Sequence, residues 1–468
     1  MLLQSTYALI DLYWIRGLGT ASIAALSISL QAFFIILALA QVVAVTALAQ
    51  ISQTYGSGEI QKAHRLFSSF LSVATVLGIA AAVSAYFFAE PYVQFFAPRP
   101  QDFVEGSTAY TDATEVIRQG LIYFEINAIT FCTQLMLIVL GMGFRGSGDF
   151  ITPVKLMVSA VLINLVLDPL LIFGWYGFPE LGIAGAAWAT VIAQAIVLVG
   201  YVLVLIRRPK TSRSLRMGTP ILNFRFFYIL VTKGAPVGIQ FMLLPIFLGI
   251  VLYAMKPFGA EWTATAGAGF RVLQQTLLPM VALGQSAAAL AGQNFGANQL
   301  NRIEQTGQVS TRWMLLYGLM CTLCLFFAGR YVGHVFADSE AGLDLAQIYY
   351  WWSAPTVLAF ALCFVPSSVL QALGKPELPL IAALARILML ALLVLWVIPL
   401  LGLGPQWVFG SASFTTFIEG GIGTWLMWRH LRHLQQTRPT PAPEPTNSED
   451  RHPISPSDNQ IETAPPNP

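Results

Sequence analysis

Asn164, Asp168 and Pro169 carry the clearest chemical signal in this 468-residue chain. Asn164 and Asp168 are four residues apart, which stacks an amide and a carboxyl on one face of a helix. Pro169 removes a backbone donor and is expected to kink that helix. A carboxyl beside freed carbonyls and an amide can hold a proton or a small cation. Other ionisable groups in apolar surroundings are few: Asp11, Glu125, Arg271 and Glu419. Ionisable groups inside a membrane segment are costly, so each is a functional candidate, with a structural hydrogen bond or ion pair as the competing reading. Arg271 could pair with a carboxyl across the protein or meet an anionic group of a substrate.

Other chemistries find little support. The five histidines (His64, His334, His430, His433, His452) fall in loops, at segment ends or in the tail, and none is paired for metal binding. Cys321 and Cys324 form a CxxC, but no second Cys pair or His stands near enough in sequence to complete a zinc site. The four cysteines all sit in apolar stretches and read as small buried hydrophobes. No GxxxxGK[ST] loop occurs, so ATP is not expected to drive this chain directly. No cofactor, no metal and no enzymatic activity are expected.

The elements that must position these groups are membrane helices. Of all residues 56% are hydrophobic and 10% charged, against about 25% charged in ordinary soluble domains. Twelve apolar segments stand out, at 1–16, 24–50, 66–89, 117–142, 153–174, 182–206, 227–254, 264–291, 311–333, 347–372, 378–400 and 408–429. Runs of about 20 residues match the bilayer core, and only helices or closed barrels satisfy their backbone in lipid. The alternating ten-residue pattern of a barrel is missing. Numbering the loops alternately puts Lys62, Arg65, Arg145, Lys155, the cluster from Arg207 to Lys233, Arg302, Arg312, Lys375 and Arg429 on one side. By the positive-inside rule that side and both termini are cytoplasmic.

The chain also repeats itself. Ala49-x-x-x-Gln53-Thr-Tyr-Gly56 aligns with Ala289-x-x-x-Gln293-Asn-Phe-Gly296, and Ile60-x-Lys62 then falls on Leu300-x-Arg302. Arg145-x-x-Gly148 through Pro153 aligns with Gln371-x-x-Gly374 through Pro379. Parallel repeats with an even number of helices imply lobes related by an axis along the membrane normal. The expected fold is therefore an all-α membrane protein with twelve transmembrane helices in two six-helix lobes, related by a pseudo-two-fold along the membrane normal. The boundaries are an amino-terminal lobe at 1–206, a basic linker at 207–226, a carboxy-terminal lobe at 227–433 and a Pro-rich tail at 434–468, expected to be disordered. On this alignment Met1 lies opposite about Phe241, so the first helix of this chain lacks its cytoplasmic portion, and either the true start lies upstream or the protein tolerates a truncated first helix.

Five motifs in order resemble the multidrug and toxic-compound extrusion family, more closely its DinF-like prokaryotic branch. They are Asp11-Leu-Tyr-Trp-Ile-Arg-Gly-Leu-Gly19 with the following ASIAALSIS, Arg145-Gly-Ser-Gly-Asp149, Asn164-Leu-Val-Leu-Asp168-Pro169, GIAGAAWAT ending at Thr190, and Gly292-Gln-Asn-Phe-Gly-Ala297. The resemblance runs from Met1 to about His433. It implies an inner-membrane exporter that exchanges protons or sodium ions for small, often cationic and lipophilic, organic compounds by alternating access. It implies that Asp11, Asn164, Asp168 and Thr190, with Tyr123, form a cation or proton site in the amino-terminal lobe. A fourth-helix Asn of that site is replaced by Gly141. The partners so implied are small-molecule substrates and membrane lipid, with no nucleic acid, and the protein is expected to be a monomer. The alternative within the superfamily is a flippase for lipid-linked or polysaccharide precursors, which would need a strongly cationic cavity. An intramembrane enzyme would need a His or paired carboxyls at one membrane face.

Overall fold

The computed structural model describes residues 13–102, 107–207, 214–334 and 339–437. Asp11, most of the first segment, part of the basic linker and the Pro-rich tail lie outside these residues. The first half contains α1 (Thr20–Gly56), α2 (Ile60–Phe87), the short α3 (Ala89–Phe96), α4 (Thr108–Gly146), α5 (Ile151–Ile172) and α6 (Ile183–Arg207). The second half opens at Phe224–Ile229 and passes through a π turn into α7 (Ala235–Met255). It continues with α8 (Ala260–Gly296), α9 (Leu300–Gly333), α10 (Glu340–Ser353), α11 (Pro355–Ala372), α12 (Glu377–Leu392) and α13 (Gln406–Thr437). Nine of the described helical spans are long and apolar enough to cross a membrane. α8 and α13, at 37 and 32 residues, are outside that group because polar side chains interrupt their apolar faces.

The helix ends follow local chemistry. The Ser107 hydroxyl accepts the Tyr110 amide at 3.2 Å to start α4, and Asp149 Oδ1 accepts the Ile151 and Thr152 amides at 3.1 and 3.0 Å to start α5. Each contact satisfies donors that the first helical turn leaves open. Within the first half α4 is central, packing against α1, α2 and α6, while α5 lies on α6. In the second half α11 takes the same place, packed by α8, α9 and α13.

The repeat is built into the backbone. Both α1 and α8 contain 37 residues. A 3-10 turn precedes each one, Arg16–Leu18 and Lys256–Phe258, followed by a glycine, Gly19 or Gly259, at φ 104°. That conformation is open to glycine and strained for other residues. The two halves meet mainly along α1, which touches α8, α7 and α11. At the meeting point the aligned motifs bond to each other. Gln53 Nε2 donates to the Ala372 carbonyl at 2.6 Å, and Gln293 Nε2 donates to the Gly146 carbonyl at 2.9 Å. Gln53 corresponds to Gln293 and Gly146 to Ala372, so these are one contact made twice by the two-fold. Beside them the α1 and α8 backbones approach so closely that a Cβ at Gly56 would overlap the Gln293 carbonyl, and one at Gly296 the Gln53 carbonyl.

The second half buries one ion pair. Arg386 on α12 and Glu419 on α13 are 5% and 6% exposed, with Nε and Oε2 3.0 Å apart. The guanidinium lies over Phe247 at 4.8 Å and Phe360 at 5.5 Å. Glu419 is thus a structural partner that ties two helices, the competing reading for that residue. Two predictions follow from this packing. Gly56→Ala and Gly296→Ala should each destabilise the purified protein by about 1–3 kcal/mol, the scale of overpacking a tight contact, and by similar amounts because the contact is two-fold. Arg386→Met should cost about 3–5 kcal/mol by stranding a buried carboxylate, while Arg386→Met with Glu419→Leu should recover most of that loss. Thermal unfolding in detergent reads both.

Candidate functional site

The site predicted around Asp168 sits on α5, and the structure seals it from solvent. Asn164 and Asp168 are both 0% exposed. Asn164 Nδ2 donates to Asp168 Oδ1 at 3.2 Å, the contact that four-residue spacing dictates. The Asn164 amide oxygen is buried and finds no hydrogen-bond donor among the described residues. α5 runs through Pro169 and ends one turn later at Ile172, so Pro169 comes late enough in the helix that only the preceding turn loses a bond.

Three further segments converge on this part of α5. Ile15, Tyr123 of α4, Ile172 of α5, and Ile183, Ala186 and Ala187 of α6 form one buried cluster, separate from the main core. Asp168 stands one turn before Ile172, and Thr190 one turn after Ala186, so the polar groups extend the same inner faces. Tyr123 is 5% exposed and Thr190 6%, with the Thr190 hydroxyl donating to the Ala186 carbonyl at 3.2 Å. Tyr123, Asn164, Asp168 and Thr190 thus stand on three helices that share one buried cluster, while Asp11 lies outside the described residues.

A polar network that sequence reasoning passed over continues along the same helices. Thr133 Oγ1 donates to Gln194 Oε1 at 2.7 Å, and Gln194 Nε2 donates to Gln134 Oε1 at 3.1 Å. Gln194 stands one turn past Thr190 on α6, so a neutral amide at mid-segment was the available signal. Gly141 is five turns along α4 from Tyr123, where a Cβ would lie 3.5 Å from the Tyr201 hydroxyl. It does not join the cluster around Tyr123. Glu125 is exposed on α4 and Arg271 is exposed on α8. Among the described residues no group of three or more His, Cys, Asp or Glu is placed to hold a metal ion. The donor set on α5 and α6, one carboxylate, one amide oxygen and one hydroxyl, fits a proton or a hard monovalent cation.

The chain is 25% identical over 85% of its length, and 83% of the relative's, to an FAD transporter of Shewanella oneidensis. It is 24% identical over 82% of its length, and 81% of the relative's, to the multidrug export protein MepA of Staphylococcus haemolyticus. A solved structure described as the outward-facing conformation of a multidrug resistance MATE family transporter superposes with a TM-score of 0.80 at 17% identity, covering 93% of each chain. The MatE family model matches residues 1–170 and again 236–397, one match in each half and together well over half of the chain. The protein belongs to the MatE family of multidrug efflux transporters.

Proposed function

We propose that this chain is an ion-coupled antiporter that exports small organic solutes by alternating access, with Asp168 and Asn164 as the coupling site. Tyr123 and Thr190 belong to that site in this reading, and family resemblance assigns Asp11 to it. The observation that carries the reading is a carboxyl and an amide, both 0% exposed, bonded to each other within a membrane helix. A buried carboxylate is costly unless its charge is balanced, and a proton or a sodium ion is one means of balancing it. Gaining or losing that charge changes what α5 and its neighbours must satisfy, which couples ion occupancy to packing. One ion moving down 100 mV supplies about 2.3 kcal/mol, enough to concentrate a solute about fiftyfold.

The contact between halves gives the second state its geometry. Gln53, Gly56, Gln293 and Gly296 pinch α1 and α8 together at the basic end, and Arg145 Nη1 donates across to Gln285 Oε1 at 2.5 Å. The charge bias makes that end cytoplasmic, so this form is closed to the cytoplasm, and export requires those bonds to break. The chain resides in the inner membrane with both termini inside. Its relatives are named for drugs and for FAD, so the solute class is left broad.

Ethidium efflux from energised cells lacking their own exporters tests the reading. Wild-type efflux should collapse with a protonophore or with removal of sodium, whichever ion is coupled, and Asp168→Asn should reduce it by about tenfold or more. Efflux in Asp168→Asn equal to wild type would sink this coupling mechanism.

A further inference from the structure

Arg271 belongs to no part of the site above, yet its surroundings are distinctive. Along α8 the exposed residues Ala264, Arg271, Gln275 and Ala282 share one helical face. Followed further, the same face becomes buried at Ala289 and Gly292 and ends at Gly296. There it packs on α1, with Gly292 against the Ser52 side chain and Gly296 against the Gln53 carbonyl. The exposed part of this face therefore lies on the α1 side of α8, above the point where α1 and α8 close, where open space would form a cleft between the halves. Arg271 lies roughly 16 Å along the helix axis from Ala260, well within the membrane. A lipid-facing guanidinium at that depth is costly, and a water-filled cleft removes the cost.

Among the described residues nothing neutralises it. Arg271 has no ion pair or hydrogen bond among the described residues. None of the 37 residues of α1, across the cleft, is charged. The other charged residue of α8 is Glu261 in its first turn, near the opposite end of the helix from the closure. At that closure Arg145 adds a second cation, bonded to the neutral Gln285, while Asp168 is sealed within the first bundle. Arg386 in the same protein supplies the contrast, since it is buried, ion-paired and stacked between two phenyl rings. That is how this fold holds an arginine for structure, and Arg271 has none of it.

We propose that Arg271 is an anion-recognition residue in the cleft, and that the solute bound there carries a phosphate or carboxylate group. This rests on the export reading for its physiological meaning, and it adds anion-bearing solutes to the cationic ones that family resemblance implies. A guanidinium offers a planar fork to two anionic oxygens, which a neutral side chain cannot reproduce.

The test is binding of flavin mononucleotide, a fluorescent organic phosphate, to the full chain in lipid nanodiscs, beside ethidium efflux as the measure of export. Wild type should bind the flavin with an affinity that falls as salt rises. Arg271→Gln should weaken binding by about tenfold or more, and Arg271→Lys should restore part of it. Because Arg271 is exposed and unpaired, both variants should melt with wild type. Equal affinity in phosphatidylcholine and phosphatidylglycerol discs assigns the site to a soluble anion. Competition by phosphatidylglycerol keeps the anion site and gives it to a lipid phosphate. Wild-type affinity in Arg271→Gln, or no flavin binding by wild type, overturns the inference and leaves ethidium export standing. Flavin binding through Arg271 without efflux of any solute would instead refute the export reading alone.

Discussion

A carboxyl group sealed inside a lipid-crossing helix has to find its counterpart in the protein, because neither lipid nor water will supply one. Asp168 meets that demand locally, through Asn164 one turn earlier. The rest of the amino-terminal half is arranged so that the demand is never met by solvent. α4 and α6 close over α5 with Tyr123, Ile183, Ala186 and Ala187, and the first segment adds Ile15 from the other side. Small residues on α6 let the helices come close, which is how membrane helices gain packing in the absence of a hydrophobic drive.

The carboxy-terminal half solves the same problem differently. It has no counterpart of the Asn164–Asp168 contact, since Pro153 aligned with Pro379 puts Leu390 and Val394 at the equivalent positions. Its buried charges are instead an ion pair between neighbouring helices, Arg386 with Glu419. A duplicated scaffold thus holds one bundle with a buried carboxyl bonded to an amide of its own helix, and one whose buried charges pair between two helices. The two are joined where their repeated motifs touch, through two equivalent glutamine bonds and two glycine contacts.

Much of this was legible from residue order. Hydropathy marks nine of the described helical spans as long and apolar enough to cross the membrane, and the aligned Gln53 and Gln293 motifs are the residues that meet between the halves. What hydropathy misses is where helices leave the bilayer. α9 starts at Leu300, well before the apolar run at 311, because polar residues continue a helix into water without interrupting its backbone bonds. It also misses α3, which follows a break at Phe88 inside a continuous apolar stretch, and the break between Ser353 and Pro355. The Asn164–Asp168 contact is readable because it lies within one helix. The Arg386–Glu419 pair and the Thr133–Gln194–Gln134 network are not, because their partners are brought together only by packing between helices.

The central claim is that Asp168 changes its charge when solute binds, and proton counting on purified protein addresses it directly. Weakly buffered wild-type protein in detergent, mixed with ethidium and followed with a pH indicator, should release protons in proportion to solute bound if the coupling ion is H+, or do so on sodium addition if it is Na+. Asp168→Asn, binding ethidium to the same occupancy, should release none under either condition. Proton release from Asp168→Asn equal to wild type would place the coupling charge elsewhere and contradict the account.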